Sequence, residues 1–75
     1  MSNRLPQVKP KELIRVLERM GFLLRRQTGS HAVFRHPDTK SIVVVPVHPG
    51  DIKRGLLYGI LKQAGINEKD FLNNL

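Results

Sequence analysis

Three histidines, His31, His36 and His48, carry the acid–base chemistry this chain has near neutral pH. Their surroundings differ. His31 follows the loop signal Thr28-Gly29-Ser30 and opens an apolar, β-prone run, Ala32-Val33-Phe34. Arg25 and Arg26 precede that turn, and Arg35 lies four residues beyond His31, an even spacing that puts both on one face of a strand. A proton-transfer group beside guanidinium groups suits cleavage of RNA. There the 2′-hydroxyl attacks the neighbouring phosphate, a base removes its proton, an acid protonates the departing 5′-oxygen, and cations stabilise the crowded phosphate. That chemistry needs no metal. Gly29 and Ser30 would let backbone approach such a ligand closely. A purely structural His31, bonded to backbone at a strand start, fits the same residues.

The other constellations are weaker. His36 precedes Pro37-Asp38-Thr39-Lys40, which is ordinary turn material. His48 precedes a helical pattern that begins near Lys53 and Arg54. A helix N-terminus attracts phosphate, so these three could hold an RNA backbone; a solvated basic loop is the alternative. His48 is also the next candidate for a second proton transfer. No metal site is expected. Cysteine is absent, and His31 and His36 should point to opposite faces of a strand. Ser30 is a poor nucleophile candidate, because adjacent strand side chains diverge and no orienting acid is near. One tyrosine, Tyr58, and three phenylalanines that fit the core pattern argue against an aromatic platform for stacking bases.

Thirteen Lys and Arg against six Asp and Glu give a net charge of +7 and a pI near 10.6. That favours a polyanionic partner, nucleic acid ahead of an acidic protein or an anionic membrane. The start, MSNRLPQVKP, has no apolar signal core, and no run approaches the roughly 20 apolar residues that span a bilayer. The absence of cysteine suits a reducing compartment. A cytoplasmic protein with no membrane segment is expected. Seventy-five residues make one small domain with a thin core.

The elements that must position these side chains follow from periodicity. Residues 1–8 have no pattern and are expected to form a flexible N-terminal arm, leaving 9–75 as a single domain. Leu13, Ile14, Val16, Leu17 and Met20 make one helical stripe, which Gly21 should end. Phe22 to Gln27, His31 to His36 and Ser41 to Val47 read as strands with short connections, hence an antiparallel meander. Pro46 cannot donate to a ladder, so the third strand should end there or lie at an edge. Leu56, Leu57, Ile60, Leu61 and Ala64 mark a second helix, with Asp51 as its introduction or cap. Asn67 should cap a short last helix whose Phe71 and Leu72 dock as a lid. The expected class is α+β, ordered α-β-β-β-α, with a three-stranded antiparallel sheet, helices on one face and the other face open.

In order along the chain stand Gly-Phe after the first helix, Gly-Ser-His-Ala-Val-Phe-Arg-His-Pro, Val-Val-Val-Pro-Val-His-Pro-Gly, Lys-Arg-Gly-Leu-Leu-Tyr-Gly-Ile-Leu-Lys-Gln-Ala-Gly-Ile and a late Phe. This ordered set resembles the HicA toxins of type II toxin–antitoxin systems, over about Lys9 to Phe71. The resemblance implies a fold like the double-stranded RNA-binding domain and a metal-independent, cofactor-free mRNA interferase. It implies His31 as the histidine of the Gly-Ser-His motif and a HicB-like antitoxin as partner. A non-catalytic RNA-binding module on the same fold is the alternative. Lys9-Pro10 and Gly55-Leu56-Leu57 depart from the family's usual Thr or Ser and Gly-Thr-Leu at the helix starts.

Overall fold

Pro10 opens the first helix, α1 (Pro10–Arg19), where its fixed φ suits the first turn and its missing N–H has no partner to lose. Lys9 offers no capping oxygen, and Glu12 compensates: its carboxylate accepts the Lys9 backbone N–H at 2.9 Å. The helix buries Leu13, Val16 and Leu17. It ends in a Schellman motif. Phe22 N–H donates to Leu17 C=O at 2.9 Å and Gly21 N–H to Glu18 C=O at 3.1 Å, with Gly21 left-handed at φ 97°. The computed structural model describes residues 5–75, and the order continues β1 (Leu23–Thr28), β2 (His31–Arg35), β3 (Ile42–Pro46), α2 (Arg54–Ala64) and α3 (Glu68–Asn73).

Both strand pairs are antiparallel, in the order β1-β2-β3, so β2 is central. The expected α+β class and topology are present, and β3 is an edge strand that ends at Pro46. Alternation decides the faces. Ala32 and Phe34 of β2 and Val43 and Val45 of β3 are buried beneath the helices, while His31, Val33, Arg35, Ile42 and Val44 turn to the other side. Helix packing centres on β3, and β1 is exposed along its whole length. A Cα thickness of 17 Å is that of one sheet and one helical layer.

Three expectations change. Residues 1–4 of the expected arm lie outside the described residues, but Leu5 and Val8 are fully buried in the core. Val8 forms an isolated bridge with Ile52, Tyr58 Oη accepts Leu5 N–H at 3.3 Å, and Arg54 Nε donates to Leu5 C=O at 3.0 Å. An aperiodic segment can be fixed by two side chains and its backbone, which periodicity does not detect. Asp51 does not cap α2. Lys53 holds the N-cap position without a side-chain bond, and Asp51 instead pairs with Lys9 at 3.5 Å. Asn67 does cap α3, accepting from Asp70 N–H at 2.8 Å. Of the two lid residues Phe71 is buried, whereas Leu72 is exposed.

His36 is built into this frame. Its Nε2 lies 3.1 Å from Met20 C=O, and Nδ1 accepts backbone N–H groups from Asp38 at 3.1 Å and Thr39 at 3.3 Å. A carbonyl on one nitrogen and N–H donors on the other require a neutral ring protonated at Nε2. The ring also sits edge-on to Phe22 at 5.1 Å. One imidazole thereby ties the end of α1 to the β2–β3 turn. A Cβ at Gly21 would lie 2.8 Å from His36 Nε2 and would carry a side chain at positive φ. Gly21→Ala is therefore expected to cost on the order of 1–3 kcal/mol. For a chain this small, thermal melting should fall by roughly 4–8 °C per kcal/mol; an unchanged melting temperature would refute this account of the corner.

Candidate active site

Gly29 and Ser30 form a two-residue hairpin loop between Thr28 and His31, which pair directly. Gly29 takes the first central position at φ 54°, the place where a II′ turn requires glycine, and Ser30 is not left-handed. The turn holds His31 at the start of β2, opposite Pro46 of β3. His31 is exposed, and its imidazole bonds to no described residue. It shares the open face with Val33 and Arg35, as the even spacing requires.

Arg25 and Arg26 reach the same open face through a β-bulge, in a depression that His31, Gly29, Ser30 and His48 do not line. Leu24 pairs with Phe34 and Arg26 with Val33, so Arg25 is the extra residue between them. In a regular strand these neighbours would point to opposite faces. The bulge lets both line one depression of about 370 Å³, together with Arg35 and the aliphatic side chains of Val33 and Ile42. None of the three arginines makes an ion pair or donates a side-chain hydrogen bond within the described residues. No strand residue is acidic. Three guanidinium groups over an apolar floor, with no internal counter-charge, form a site for an anion brought from outside.

His48 lies closer to the turn than its sequence distance suggests. Past the end of β3, Val47 N–H donates to Ser30 C=O at 2.6 Å. His48 follows directly on that contact. His48 is exposed, and its Nδ1 is 2.9 Å from Pro49 C=O. A carbonyl can only accept, so Nδ1 carries the proton and Nε2 presents a lone pair outward when the ring is neutral.

Lys53 and Arg54 stand at the start of α2 and do not line the arginine depression. Lys53 is exposed and its side chain bonds to no described residue, whereas Arg54 already holds the Leu5 carbonyl. Arg54 is thus partly committed to the fold. Among the described residues no three His, Asp or Glu side chains converge. The apolar part of the open face was not legible: Ile42-Val43-Val44-Val45 is aliphatic throughout, so composition cannot separate the buried Val43 and Val45 from the exposed Ile42 and Val44.

No helix among the described residues is long and apolar enough to cross a membrane. No curated protein matches the chain. A family model described as HicA toxin of bacterial toxin-antitoxin matches residues 10–66, which take in all three strands, both longer helices and every residue of the site above.

Proposed function

Because this chain belongs to the HicA family, the toxins of bacterial toxin–antitoxin systems that act with a cognate antitoxin, we propose that it is an endoribonuclease that cleaves mRNA by 2′-hydroxyl attack. The observation that carries this reading is the placement of an exposed His31 on the same open sheet face as three arginines, with no bond to its imidazole and no counter-charge to the arginines among the described residues. Arg25, Arg26 and Arg35 bind phosphates, and their charge stabilises the phosphorus centre as it becomes crowded. Gly29 and Ser30 form the tight edge past which the RNA backbone runs. His31 is the general acid/base. His48, with Nδ1–H directed at Pro49 C=O, offers Nε2 for the complementary proton transfer: one imidazole takes the 2′-hydroxyl proton while the other protonates the leaving 5′-oxygen. The bond from phosphorus to the 5′-oxygen breaks as the bond to the 2′-oxygen forms. The products are a 2′,3′-cyclic phosphate, or the 3′-phosphate after hydrolysis, and a 5′-hydroxyl. No metal or cofactor enters these steps, and a HicB-type protein is the antitoxin.

The test is direct. Purified protein is incubated with single-stranded RNA in EDTA and the new ends are identified chemically. Cleavage with cyclic or 3′-phosphate ends supports the reading; activity that disappears with the chelator, or 5′-phosphate ends, overturns the mechanism. Intact RNA at all concentrations, with retained binding, favours the second reading, a non-catalytic RNA-binding module. That no described residue bonds to the His31 ring to orient it gives that reading its footing.

Lys53 is proposed to extend the phosphate contacts beyond the pocket, with Arg54 beside it. Since Arg54→Ala would also release the Leu5 carbonyl, Lys53→Ala is the cleaner variant. It should weaken RNA binding alike for all sequences. The slope of log affinity against log salt should become shallower by about 0.7, the counterion release of one single-strand phosphate contact. An unchanged slope would put the RNA away from α2.

A further inference from the structure

Residues 5–9 lie ahead of the stretch that the family model matches, which begins at residue 10. Their long-range bonds converge on one segment of the chain. Val8 C=O accepts Ile52 N–H at 2.7 Å, and Lys9 Nζ pairs with Asp51 at 3.5 Å. Leu5 is held at both ends of its backbone, its N–H by Tyr58 Oη at 3.3 Å and its C=O by Arg54 Nε at 3.0 Å. The side chains of Leu5 and Val8 are fully buried and anchor the arm in the core. Among the described residues no hydrogen bond joins residues 5–8 to a strand.

The segment so held is the one that carries His48 and Lys53. Its front end is fixed by Val47 N–H on Ser30 C=O at 2.6 Å. From there to the buried Ile52 stand His48, Pro49, Gly50 and Asp51, all exposed, so no buried side chain holds the loop within that span. The bond of His48 Nδ1 to Pro49 C=O is internal to the loop and moves with it. The place of His48 therefore depends on the two ends of the loop, and the arm supplies the rear one.

We infer that the arm braces the catalytic machinery: Leu5 and Tyr58 are positioning residues that hold the rear of the 48–53 loop, and through it His48, in place for proton transfer. This inference rests on the ribonuclease reading. Its lever is geometric. Without the Leu5 anchor the loop keeps one fixed end, and the His48 ring gains freedom to move. Proton transfer needs hydrogen-bond distance, so a displacement of about 1 Å can cost up to roughly a hundredfold in rate. Phosphate binding is less sensitive, because charge attraction falls off slowly with distance and Arg25, Arg26 and Arg35 stand on the sheet. The exposed Lys9–Asp51 pair adds little.

The test uses the full chain with Tyr58→Phe, which removes only the hydroxyl on Leu5 N–H, and with Leu5→Ala, which removes the anchor. Each is made in wild type and in His48→Gln. Single-turnover cleavage at saturating RNA, RNA affinity and thermal melting are measured on the same preparations. In folded protein the saturated rate should fall about threefold for Tyr58→Phe and roughly tenfold or more for Leu5→Ala, with affinity within about twofold of wild type. In the His48→Gln background each should change the rate by less than about twofold, because a group already removed cannot be misplaced. Equal factors in both backgrounds would make the arm a purely structural element and overturn the inference. Wild-type rates in the folded variants would overturn it as well, and both results leave the ribonuclease reading standing. If His48→Gln itself cleaves like wild type, the brace has nothing to position and the inference falls, while His31 keeps its role. Wild type that cleaves no RNA overturns the ribonuclease reading and the inference together. If Leu5→Ala unfolds, Tyr58→Phe decides by the same criteria.

Discussion

His31→Ala should reduce RNA cleavage by roughly a hundred- to ten-thousand-fold, the usual loss when a positioned acid or base is removed. RNA affinity should stay close to wild type. In the proposed mechanism binding arises from Arg25, Arg26, Arg35 and Lys53, none of which contacts the imidazole through a hydrogen bond among the described residues. The fold should also survive: His31 is exposed, the Gly29-Ser30 turn is set by backbone geometry, and the Thr28–His31 pairing is a main-chain matter. Single-turnover cleavage, filter binding and thermal melting on the same preparations separate these effects. A variant that cleaves at the wild-type rate would remove His31 from the mechanism. A variant that binds RNA weakly and melts early would make His31 a structural residue. His48→Gln should show a similar catalytic loss with the same retained binding if the two imidazoles divide the proton transfers.

Phe71→Ala should remove a large share of the protein's stability and move its urea midpoint well below wild type. Phe71 is 0% exposed and belongs to the single buried cluster that also contains Leu5, Leu17, Phe34 and Leu57. Removing a buried phenylalanine costs about 3–5 kcal/mol. A chain of this length has a total stability of roughly 4–11 kcal/mol, so one substitution consumes a large share. The position is informative because it lies beyond residue 66, where the family match stops. The helix that bears it is held by the Asn67 cap and by Arg19 Nη1 donating to Asn74 C=O at 3.2 Å. Urea unfolding is the measurement. A midpoint equal to wild type would mean that α3 is an appendage and that the core closes without it. Leu72→Ala, one residue on and exposed, is the control and should change stability little.

What could be read from residues alone was whatever depends on local chemistry. The stripe Leu13, Val16, Leu17 needs only the helical repeat, Gly21 only a residue able to adopt positive φ, and Asn67 only an oxygen placed to accept from the following turn. The even spacing of His31 and Arg35 put them on one face because a strand has period two. The family resemblance rested on the same local motifs. Tertiary structure decided what depends on chains that are far apart or on a broken repeat. Arg25 joins Arg26 only because a bulge shifts the pleat by one residue, and no composition signals which residue will be the extra one. Leu5 and Val8 belong to the core because Tyr58, Arg54 and Ile52 hold the backbone between them, contacts more than forty residues away in sequence. His48 comes to the turn through a single bond from Val47 to Ser30. The exposed aliphatic patch was hidden for the opposite reason. In a strand of four consecutive aliphatic residues the repeat carries no polarity, and only packing against the helices determines which two meet water.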